Sequence, residues 1–423
     1  MEEWKLTKIG SLCKRVCSGG TPKSTVEEYY GGGIPWLNTK EVNFNRIYST
    51  ESTISEAGLN NSSAKWIEKH SVIVAMYGAT AAKCAIGMIP MTTNQACCNL
   101  MIDEDLADYR FVYYALTNAY STLASLANGG AQQNLNAQLI KDFEISLPNL
   151  QIQHRIADIL STIDDKIENN VRINHNLEEQ AQALYKSWFV DFEPFRDGKF
   201  IDSEFGLIPD GWHIGNISEM ISDTYNGDWG KEESTGAFTK RVFCIRGADI
   251  PSIRVGSSGK MPTRFIQEKH FLSKYLKNDD LVIEVSGGSP TQSTGRFCRI
   301  TSDLIERYDH SLICTNFCKA IRPIEGCSLF LSYLWNDLYE KGTMFSYENG
   351  TTGIKNLDLS GLIMGEPVII PDKRSMQLFS YAVSALNKQI LFNGHENEKL
   401  GEQRDLMLPK LMSGEMISNN DVC

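Results

Sequence analysis

The stretch GGTPKST, Gly19 to Thr25, combines two glycines, a lysine and a hydroxyl pair, which are residue types that can bind phosphate. A nucleotide-binding P-loop needs a glycine directly before its lysine and a buried strand leading into the loop. Here Pro22 precedes Lys23, and proline has no backbone N–H to offer a phosphate. The later stretch GGSPTQSTGR, Gly287 to Arg296, is similar in composition but lacks a lysine. The spacing argues against a nucleotide site, so the two loops need another explanation.

Motifs that would carry catalysis are missing. A methyltransferase acting on DNA amino groups needs a [DNS]-P-P-[YFW] motif, and the sequence contains no Pro-Pro pair. Asp280 and Glu284, in DDLVIEVS, come closest to a nuclease carboxylate pair, but no lysine follows them on the strand. The seven histidines show no spacing that suggests a Ser-His-Asp arrangement. We therefore predict a protein that is not an enzyme, with a catalytic DNA-modifying enzyme as the alternative.

The cysteines predict neither disulfides nor a metal site. The chain has eleven, an odd number, and no C-x-x-C pair. That pattern favours reduced, mostly buried thiols in a cytosol. No run of 18 apolar residues occurs and the N-terminus lacks the apolar core of a signal peptide, so we predict a cytoplasmic protein without a membrane span or a bound cofactor.

The charge is negative overall and unevenly spread. The net charge of −11 argues against non-specific binding to nucleic acid. Between Trp229 and Arg299, however, twelve Lys and Arg face seven Asp and Glu. A local positive field can exist on an acidic protein, so DNA binding remains compatible with the composition.

The 423-residue chain contains a long internal repeat. WKLTKIGSLCKRVCSGG, from Trp4, matches WHIGNISEMISDTYNGDWG, from Trp212. The apolar run and polar loop that begin at Trp66 match those that begin at Tyr275, and the Asn-Gly segment at Asn128 matches that at Asn349. Each half then continues into a helical pattern. The repeat predicts two similar mixed α/β domains.

Each predicted helix carries a seven-residue apolar repeat, which is typical of coiled coils. Ile152, Ile159 and Ile173 are assigned to a second row at d positions, with Leu160, Ile167 and Ala181 beside them, and Val383 and Ile390 flank the seam in the second helix. The alternative is that each helix packs separately on its own domain. The predicted seam consists of Ile156, Ile163, Asn170, Leu177 and Leu184 in the first helix, and Phe379, Leu386, Asn393, Leu400 and Met407 in the second.

Asn170 and Asn393 occupy the same position in the two repeats. An asparagine in an apolar seam usually sets register at some cost in stability. If the halves are related by a pseudo-twofold axis, the helices run antiparallel and these two side chains are expected to hydrogen-bond to each other.

An aromatic-rich connector, SWFVDFEPFRDGKF, follows the first helix. Either it forms a small core where the helix meets the domains, or it is an exposed face for docking another subunit, because exposed aromatic clusters mark interfaces. The predicted docking residues are Trp188, Phe189, Phe192 and Phe195.

Together these features resemble the specificity (S) subunit of type I restriction–modification systems. The matching pieces are GGTPK, IPWLNTKEV from Ile34, YGATAAKCAI from Tyr77, and LPNLQIQHRIADILSTIDDKIENN followed by LYKSWFVDFEPF. The pieces occur in the right order over nearly the whole chain. The second half departs from the pattern, because it has GDWGKEES instead of GGTPK and no aromatic connector after its helix.

The resemblance implies an α+β fold with a pseudo-twofold internal repeat, in which two mixed α/β target recognition domains are separated by two long antiparallel coiled-coil helices. Each domain is expected to read one half of a bipartite, asymmetric site in double-stranded DNA, and the helices to set the gap. The implied partners are two methyltransferase subunits and the restriction subunits, to which S-adenosylmethionine, ATP and Mg²⁺ would belong. The alternatives are a catalytic enzyme and a scaffold that no longer reads DNA.

The domain boundaries follow from the repeat. We predict recognition domains at residues 1–149 and 212–371, helices at 150–190 and 372–412, a connector at 191–211 and a C-terminal tail at 413–423.

The predicted DNA-binding residues lie in the recurring loops. Lysine, arginine, hydroxyl groups and glycine-rich turns grip phosphates, whereas Arg or Lys reads guanine and Asn or Gln reads adenine. For the first domain we predict contacts from Lys23, Asn38, Lys40, Tyr77, Thr80, Lys83, Gln132, Gln133 and Asn134, and for the second from Lys231, Arg241, Arg246, Arg254, Thr291, Gln292, Arg296, Lys355 and Asn356.

Overall fold

The computed structural model describes residues 4–128, 135–289, 291–350 and 354–416, and the chain divides into two compact units. Unit 1 comprises Met1–Asp165 and Gly401–Cys423, and unit 2 comprises Lys166–Leu400. Each unit therefore contains one globular part and a portion of both long helices.

Unit 1 is built on a five-stranded sheet in the order β2-β9-β6-β7-β4, beside a three-stranded sheet β5-β3-β8 and the antiparallel pair β1-β10. The strands are β1 Lys5–Lys8, β2 Cys13–Ser18, β3 Tyr30–Leu37, β4 Asn45–Ile47, β5 Ser52–Ile54, β6 Val72–Ala75, β7 Cys84–Gly87, β8 Thr92–Thr93, β9 Cys97–Ile102 and β10 Glu144–Leu147. The helices are α1 Glu56–Asn60, α2 Tyr109–Asn118, α3 Tyr120–Asn128, α4 Ala137–Asp142 and the start of α5 Leu150–Phe189.

Unit 2 has a four-stranded sheet β14-β21-β17-β19, two three-stranded sheets β16-β15-β20 and β18-β23-β22, and the pairs β13-β24 and β11-β12. The strands are β11 Phe200–Ser203, β12 Gly206–Pro209, β13 His213–Asn216, β14 Ile221–Asn226, β15 Phe238–Ile245, β16 Thr263–Gln267, β17 Leu281–Glu284, β18 Ser286–Gly287, β19 Phe297–Arg299, β20 Leu312–Cys314, β21 Cys318–Pro323, β22 Glu348–Asn349, β23 Lys355–Leu357 and β24 Pro367–Ile370. The helices are α6 Ile250–Arg254, α7 Glu268–Lys274, α8 Ser302–Arg307, α9 Ser328–Glu340, α10 Leu359–Gly365 and most of α11 Lys373–Met412.

The repeat predicted from the sequence is confirmed at the level of strand pairing. The antiparallel pair β2-β9 has its counterpart in β14-β21, and the parallel pair β3-β8 in β15-β20. The caps repeat as well, because Asn149 accepts the backbone N–H of Ile152 at the start of α5, and Asp372 that of Ser375 at the start of α11. The helical stretch that follows Asp108 is divided at Ala119 into two helices, α2 and α3.

The two long helices pair in antiparallel orientation. Within unit 2, Asn174 of α5 hydrogen-bonds to Asn393 of α11, and further along α5 the Tyr185 ring contacts Phe379, which precedes Asn393 in α11. Each helix has 40 residues, which corresponds to a length of about 60 Å. The alternative of separately packed helices is therefore wrong.

The predicted seam lies in the interface, and its second row is only partly the predicted one. Of the ten seam residues, Ile156, Asn170, Phe379 and Asn393 are buried and the others are partly buried. Ile152 is buried as predicted, but Ile173 is 38% exposed. Most of the second row follows at four residues, because the flanking residues Leu160, Ala181 and Val383 are buried, as is Leu411. A second row placed four residues after each seam position has the same alternating three-and-four spacing as a row placed three residues after it. The periodicity of the sequence alone therefore does not distinguish these two rows.

The expected hydrogen bond between Asn170 and Asn393 is not formed. Asn170 Nδ2 donates to Asn397 Oδ1 at 2.8 Å and to Glu396 Oε2 at 2.6 Å. Asn393 Nδ2 donates to Asn174 Oδ1 at 2.8 Å. Each predicted asparagine is thus paired with an asparagine one turn beyond the position that we had matched to it. Four asparagines, which we call the asparagine belt (Asn170, Asn174, Asn393 and Asn397), interrupt the apolar seam.

The belt changes the expected effect of substitution. Replacing only Asn170 and Asn393 by leucine removes the asparagine partners of Asn174 and Asn397, although Asn174 Nδ2 still donates to the Ile390 carbonyl, so we expect a loss of about 1–3 kcal/mol for each buried group that is left unsatisfied. Replacing all four by leucine removes both asparagine pairs and leaves only Gln389, which is exposed, and Glu396, which is partly exposed, without an asparagine partner, so it should keep or raise the melting temperature while loosening helix register. Thermal unfolding of the two variants tests this. Equal melting temperatures for both would contradict the pairing.

Candidate nucleic-acid interface

The glycine pair in GGTPKST is explained by close packing. A side chain on Gly19 would lie 2.1 Å from the carbonyl oxygen of Thr93, and one on Gly20 would lie 2.2 Å from the backbone nitrogen of Ala64. The Gly20 carbonyl also accepts the indole N–H of Trp36 at 2.9 Å. Unit 2 repeats this approach at Gly227, where a side chain would meet the Thr315 carbonyl oxygen at 2.0 Å. These glycines hold the segment that follows β2, or β14, against the neighbouring strands.

The second glycine pair serves another purpose. Gly287 and Gly288 have φ angles of +147° and +73°, a region of backbone conformation that residues with side chains rarely adopt. They shape the loop after β17, which contains β18. The pairing of β18 with β23, which also pairs with β22, joins this loop to the Asn-Gly segment. In unit 1 the equivalent connection is the hydrogen bond from Leu135 N–H to the Met76 carbonyl. In both units, two loops that are distant in sequence are brought together.

Among the predicted residues of unit 1, Lys23 and Tyr77 are exposed. The other four described residues have internal partners, although Lys40 is itself exposed. Asn38 caps the turn Thr39–Glu41, Lys40 pairs with Glu51, Thr80 donates to the Thr39 carbonyl at 2.9 Å, and Lys83 donates to Asn43 Oδ1 at 2.7 Å. Gln132, Gln133 and Asn134 lie outside the described residues.

Three predicted DNA-binding arginines of unit 2 are engaged inside the protein. Arg246 forms two hydrogen bonds to Asp249, of 2.9 and 3.0 Å, and Arg254 contacts Glu178 of α5 at 2.7 Å. Arg296 forms two hydrogen bonds of 2.7 Å to Glu284, which is 5% exposed. Their guanidinium groups neutralise local carboxylates, so contact of these three arginines with DNA stays a prediction and would compete with these pairs.

The Arg296 pair is an internal electrostatic unit. The hydrogen bond to the Glu284 carboxylate raises the pKa of Arg296. The position of Glu284 corresponds to Ala75 in unit 1. The Ala75 N–H donates to the Lys83 carbonyl, just as the Glu284 N–H donates to the Arg296 carbonyl.

The loop and hairpin of unit 2 leave some predicted groups accessible. Thr291, Gln292 and Asn356 are exposed, although Asn356 Oδ1 accepts the Ser286 hydroxyl at 2.5 Å. Lys355 pairs with Glu348 at 2.8 Å. Burial opposes the Glu348 charge, but hydrogen bonds from Lys355 and Thr294 hold the pKa of Glu348 below its usual value.

Lys231 and Arg241 belong to a cluster of cations and aromatic rings whose other members were not predicted from the sequence. Lys231 lies over the Phe238 ring at 4.5 Å, Lys240 over Phe271 at 4.4 Å and Arg264 over Trp229 at 4.2 Å. All belong to the β15-β16 strands or the segments beside them. We call Trp229, Lys231, Phe238, Lys240, Arg241 and Arg264 the basic–aromatic cluster. The alternation in GAFTKRVF was a signal for Phe238 and Lys240, because cations interleaved with aromatic side chains are typical of nucleic-acid surfaces.

The prediction of an exposed aromatic docking face is wrong. Phe189 is 5% exposed, and its ring lies 4.7 Å from Phe330 and 5.0 Å from Phe379. Phe195 packs on Trp212 at 4.9 Å. Trp188 and Phe192 also pack against this core of unit 2. The alternative that we kept open, a core where the helix meets the domain, describes these residues.

The cysteines show no arrangement for chemistry in the part of the chain that the structure describes. Cys84, Cys97 and Cys98 are fully buried, and burial raises the pKa of Cys98 to about 12. Within the described ranges, no group of three or more His, Cys, Asp or Glu side chains could hold a metal ion. Nor is any described helix both long enough and apolar enough to span a membrane.

The duplicated domains, the antiparallel helix pair and the paired loops can be compared with those of known proteins. Residues 1–179 match the family described as "Type I restriction modification DNA specificity domain". The MjaIX specificity subunit of Methanocaldococcus jannaschii is 26% identical, over 98% of this chain and 94% of its own length. The HindI specificity subunit of Haemophilus influenzae is 25% identical over 71% of this chain and 75% of its own.

A solved structure shares the fold. The S subunit of a type I restriction–modification system from M. genitalium superposes with a TM-score of 0.54 and 20% identity, covering 96% of each chain. The resemblance predicted from the sequence is therefore confirmed: this chain is similar to a type I specificity subunit along nearly its whole length.

Proposed function

We propose that this chain is the DNA-recognition subunit of a type I restriction–modification complex. The observation that carries this is the similarity to a specificity subunit over 98% of the chain, together with two copies of one domain joined by a helix pair. Each domain reads one half of a bipartite, asymmetric site in double-stranded DNA, and the helix pair sets the gap between the halves.

The chain contributes recognition and no catalytic step. Two methyltransferase subunits and the restriction subunits carry out the chemistry in the cytoplasm, and S-adenosylmethionine, ATP and Mg²⁺ bind to those partners. In support of this role, the catalytic motifs considered above are missing from the sequence, and the buried carboxylates of the candidate pair, Asp280 and Glu284, are neutralised by Arg322 and Arg296.

Recognition rests on two kinds of accessible groups. Lys23 in unit 1 and Lys231, Lys240 and Arg241 of the basic–aromatic cluster in unit 2 present cations to phosphates, which supplies affinity without sequence information. Gln292 and Asn356 in unit 2 have the amide groups that read adenine.

The test is a reconstitution of the chain with its methyltransferase subunits and S-adenosylmethionine on DNA of random sequence. Methylation should appear at one bipartite motif, and only when this chain is present. The chain alone, with S-adenosylmethionine or with Mg²⁺ and ATP, should leave DNA unchanged. Turnover by the lone chain would instead support the alternative of a catalytic enzyme.

Lys23 provides a sharper test of phosphate contact. Lys23→Ala should weaken binding of the reconstituted complex by the same factor on all sequences, and lower the slope of log affinity against log salt by about 1. Lys5→Ala, which removes an exposed lysine from β1, is the matched control and should change neither quantity. A change in sequence preference without a change in salt dependence would mean that Lys23 reads a base.

A further inference from the structure

The loop that begins with α6 packs on the long helix α11 at a glycine. A side chain on Gly394 would lie 1.7 Å from the Val255 carbonyl oxygen and 3.2 Å from Gly256 Cα. Gly256 has a φ of +99°, so the loop turns sharply where it meets the helix. Helix interiors disfavour glycine by about 1 kcal/mol relative to alanine. The close approach gives a physical reason for glycine at this position.

One turn further along α11, Glu398 binds the same loop. Its carboxylate accepts the hydroxyls of Ser257 and Ser258, at 3.0 and 2.8 Å, and the backbone N–H of Ser258 at 3.1 Å. Burial opposes the charge, but the hydrogen bonds from Ser258 and Ser257 hold the pKa of Glu398 below its usual value. Arg307 reinforces the contact by donating to the Gly256 carbonyl at 3.3 Å and to the Ser258 hydroxyl at 3.2 Å.

The same loop also reaches the other long helix. Arg254 donates to Glu178 of α5 at 2.7 Å and to Asn336 of α9 at 2.8 Å. Both long helices of unit 2 are therefore tied to one loop of its globular domain. We call this set of contacts the clasp (Arg254, Ser257, Ser258, Arg307, Gly394 and Glu398).

The clasp is not a general consequence of the heptad pattern. By the 223-residue repeat, Val171 and His175 of α5 correspond to Gly394 and Glu398 of α11. Val171 is 57% exposed, and the His175 side chain is 74% exposed. Glycine and glutamate thus occur at these positions only in the helix that the loop contacts.

We propose that the clasp fixes the orientation of the second recognition domain on the helix pair, and that Gly394 and Glu398 are positioning residues that make the complex selective for one gap length. The proposal rests on the proposed function, in which the helix pair sets the gap. A domain that is free to tilt on its helices would reach half-sites that are displaced by a base pair. A clasped domain would not, because the DNA itself would have to twist or bend.

The experiment uses the full chain reconstituted with methyltransferase subunits and S-adenosylmethionine. The substrates carry both half-sites and differ only in the gap, which is varied by one and two base pairs. Gly394→Ala forces the loop away from α11, and Glu398→Ala removes the hydrogen bonds without adding bulk. Gly401→Ala is the matched control, because a side chain there meets nothing within 4 Å.

The measured quantity is the ratio of methylation at the best gap to that at neighbouring gaps. We expect both clasp variants to lower this ratio about tenfold, which corresponds to about 1.4 kcal/mol. Both should keep the same half-site sequences, and Gly401→Ala should keep the wild-type ratio. Folded variants that lose methylation equally at all gaps, or that keep the wild-type ratio, would overturn the clasp. A wild-type complex without any gap preference would overturn the proposed function, and the clasp with it.

Discussion

Lengthening both long helices by one heptad will lengthen the gap between the two half-sites and leave the half-sites themselves unchanged. Seven helical residues add about 10 Å, which matches up to about three base pairs at 3.4 Å each. The insertions belong after Asp165 and after Gly401, near the points where α5 and α11 pass from one unit to the other. A heptad rotates a straight helix by only about 20° relative to its starting face, so the apolar seam continues through the insertion.

The readout is the methylated motif of the reconstituted complex. An insertion of equal length in the exposed turn between β11 and β12, at Glu204–Phe205, is the control and should leave the gap unchanged. Insertion into only one helix should abolish directed methylation, because it shifts one part of that helix by seven residues relative to the other long helix. The asparagine pairs and the rest of the apolar seam can then not be in register at the same time. A changed half-site with an unchanged gap would contradict the role of the helices.

Replacing Arg296 by alanine should destabilise unit 2 by about 3–5 kcal/mol, because it leaves the buried Glu284 carboxylate without its partner. The double variant Arg296→Ala with Glu284→Ala removes both charges and restores most of the loss, as Ala75 at the corresponding place in unit 1 suggests. Lys341→Ala breaks an ion pair whose lysine side chain is 59% exposed, and should cost at most about 1 kcal/mol. Urea unfolding measures all three.

The same variants separate two roles for Arg296. The sequence suggested that this arginine reads DNA, whereas the structure assigns it to an internal pair. If Arg296→Ala unfolds at the wild-type urea concentration but loses sequence-specific binding, the guanidinium contacts DNA after all and the internal role is wrong.

The repeat and the long helices were predictable because each can be seen in the order of residues along the chain. Apolar residues at seven-residue spacing report which helix face is buried, and matched segments such as those from Trp4 and Trp212 report the duplicated domain. Side-chain partners were not predictable in the same way. The antiparallel register pairs Asn170 with Asn397 and not with Asn393, and nothing in the periodicity of one helix states the register of two.

The candidate DNA-binding site shows the same difference between what the sequence predicts and what only the structure reveals. The sequence identifies loops of suitable composition, and the structure brings the loop at Gly287 together with the hairpin at Lys355. Which cations remain free depends on partners far along the chain, such as Glu178, which lies 76 residues from Arg254. The basic–aromatic cluster was missed in part for the same reason, because Trp229 and Arg264 come together only where the segment at Lys231 bridges to Phe265 of β16.

The most direct test of DNA recognition is the methylation pattern of DNA treated with the reconstituted complex. We predict a single asymmetric motif made of two short defined blocks separated by a gap of fixed length. Exchanging residues 212–371 for the corresponding domain of another specificity subunit should change one block and preserve the other. A single continuous motif, or a motif in which both blocks change after that exchange, would contradict the assignment of one half-site to each domain.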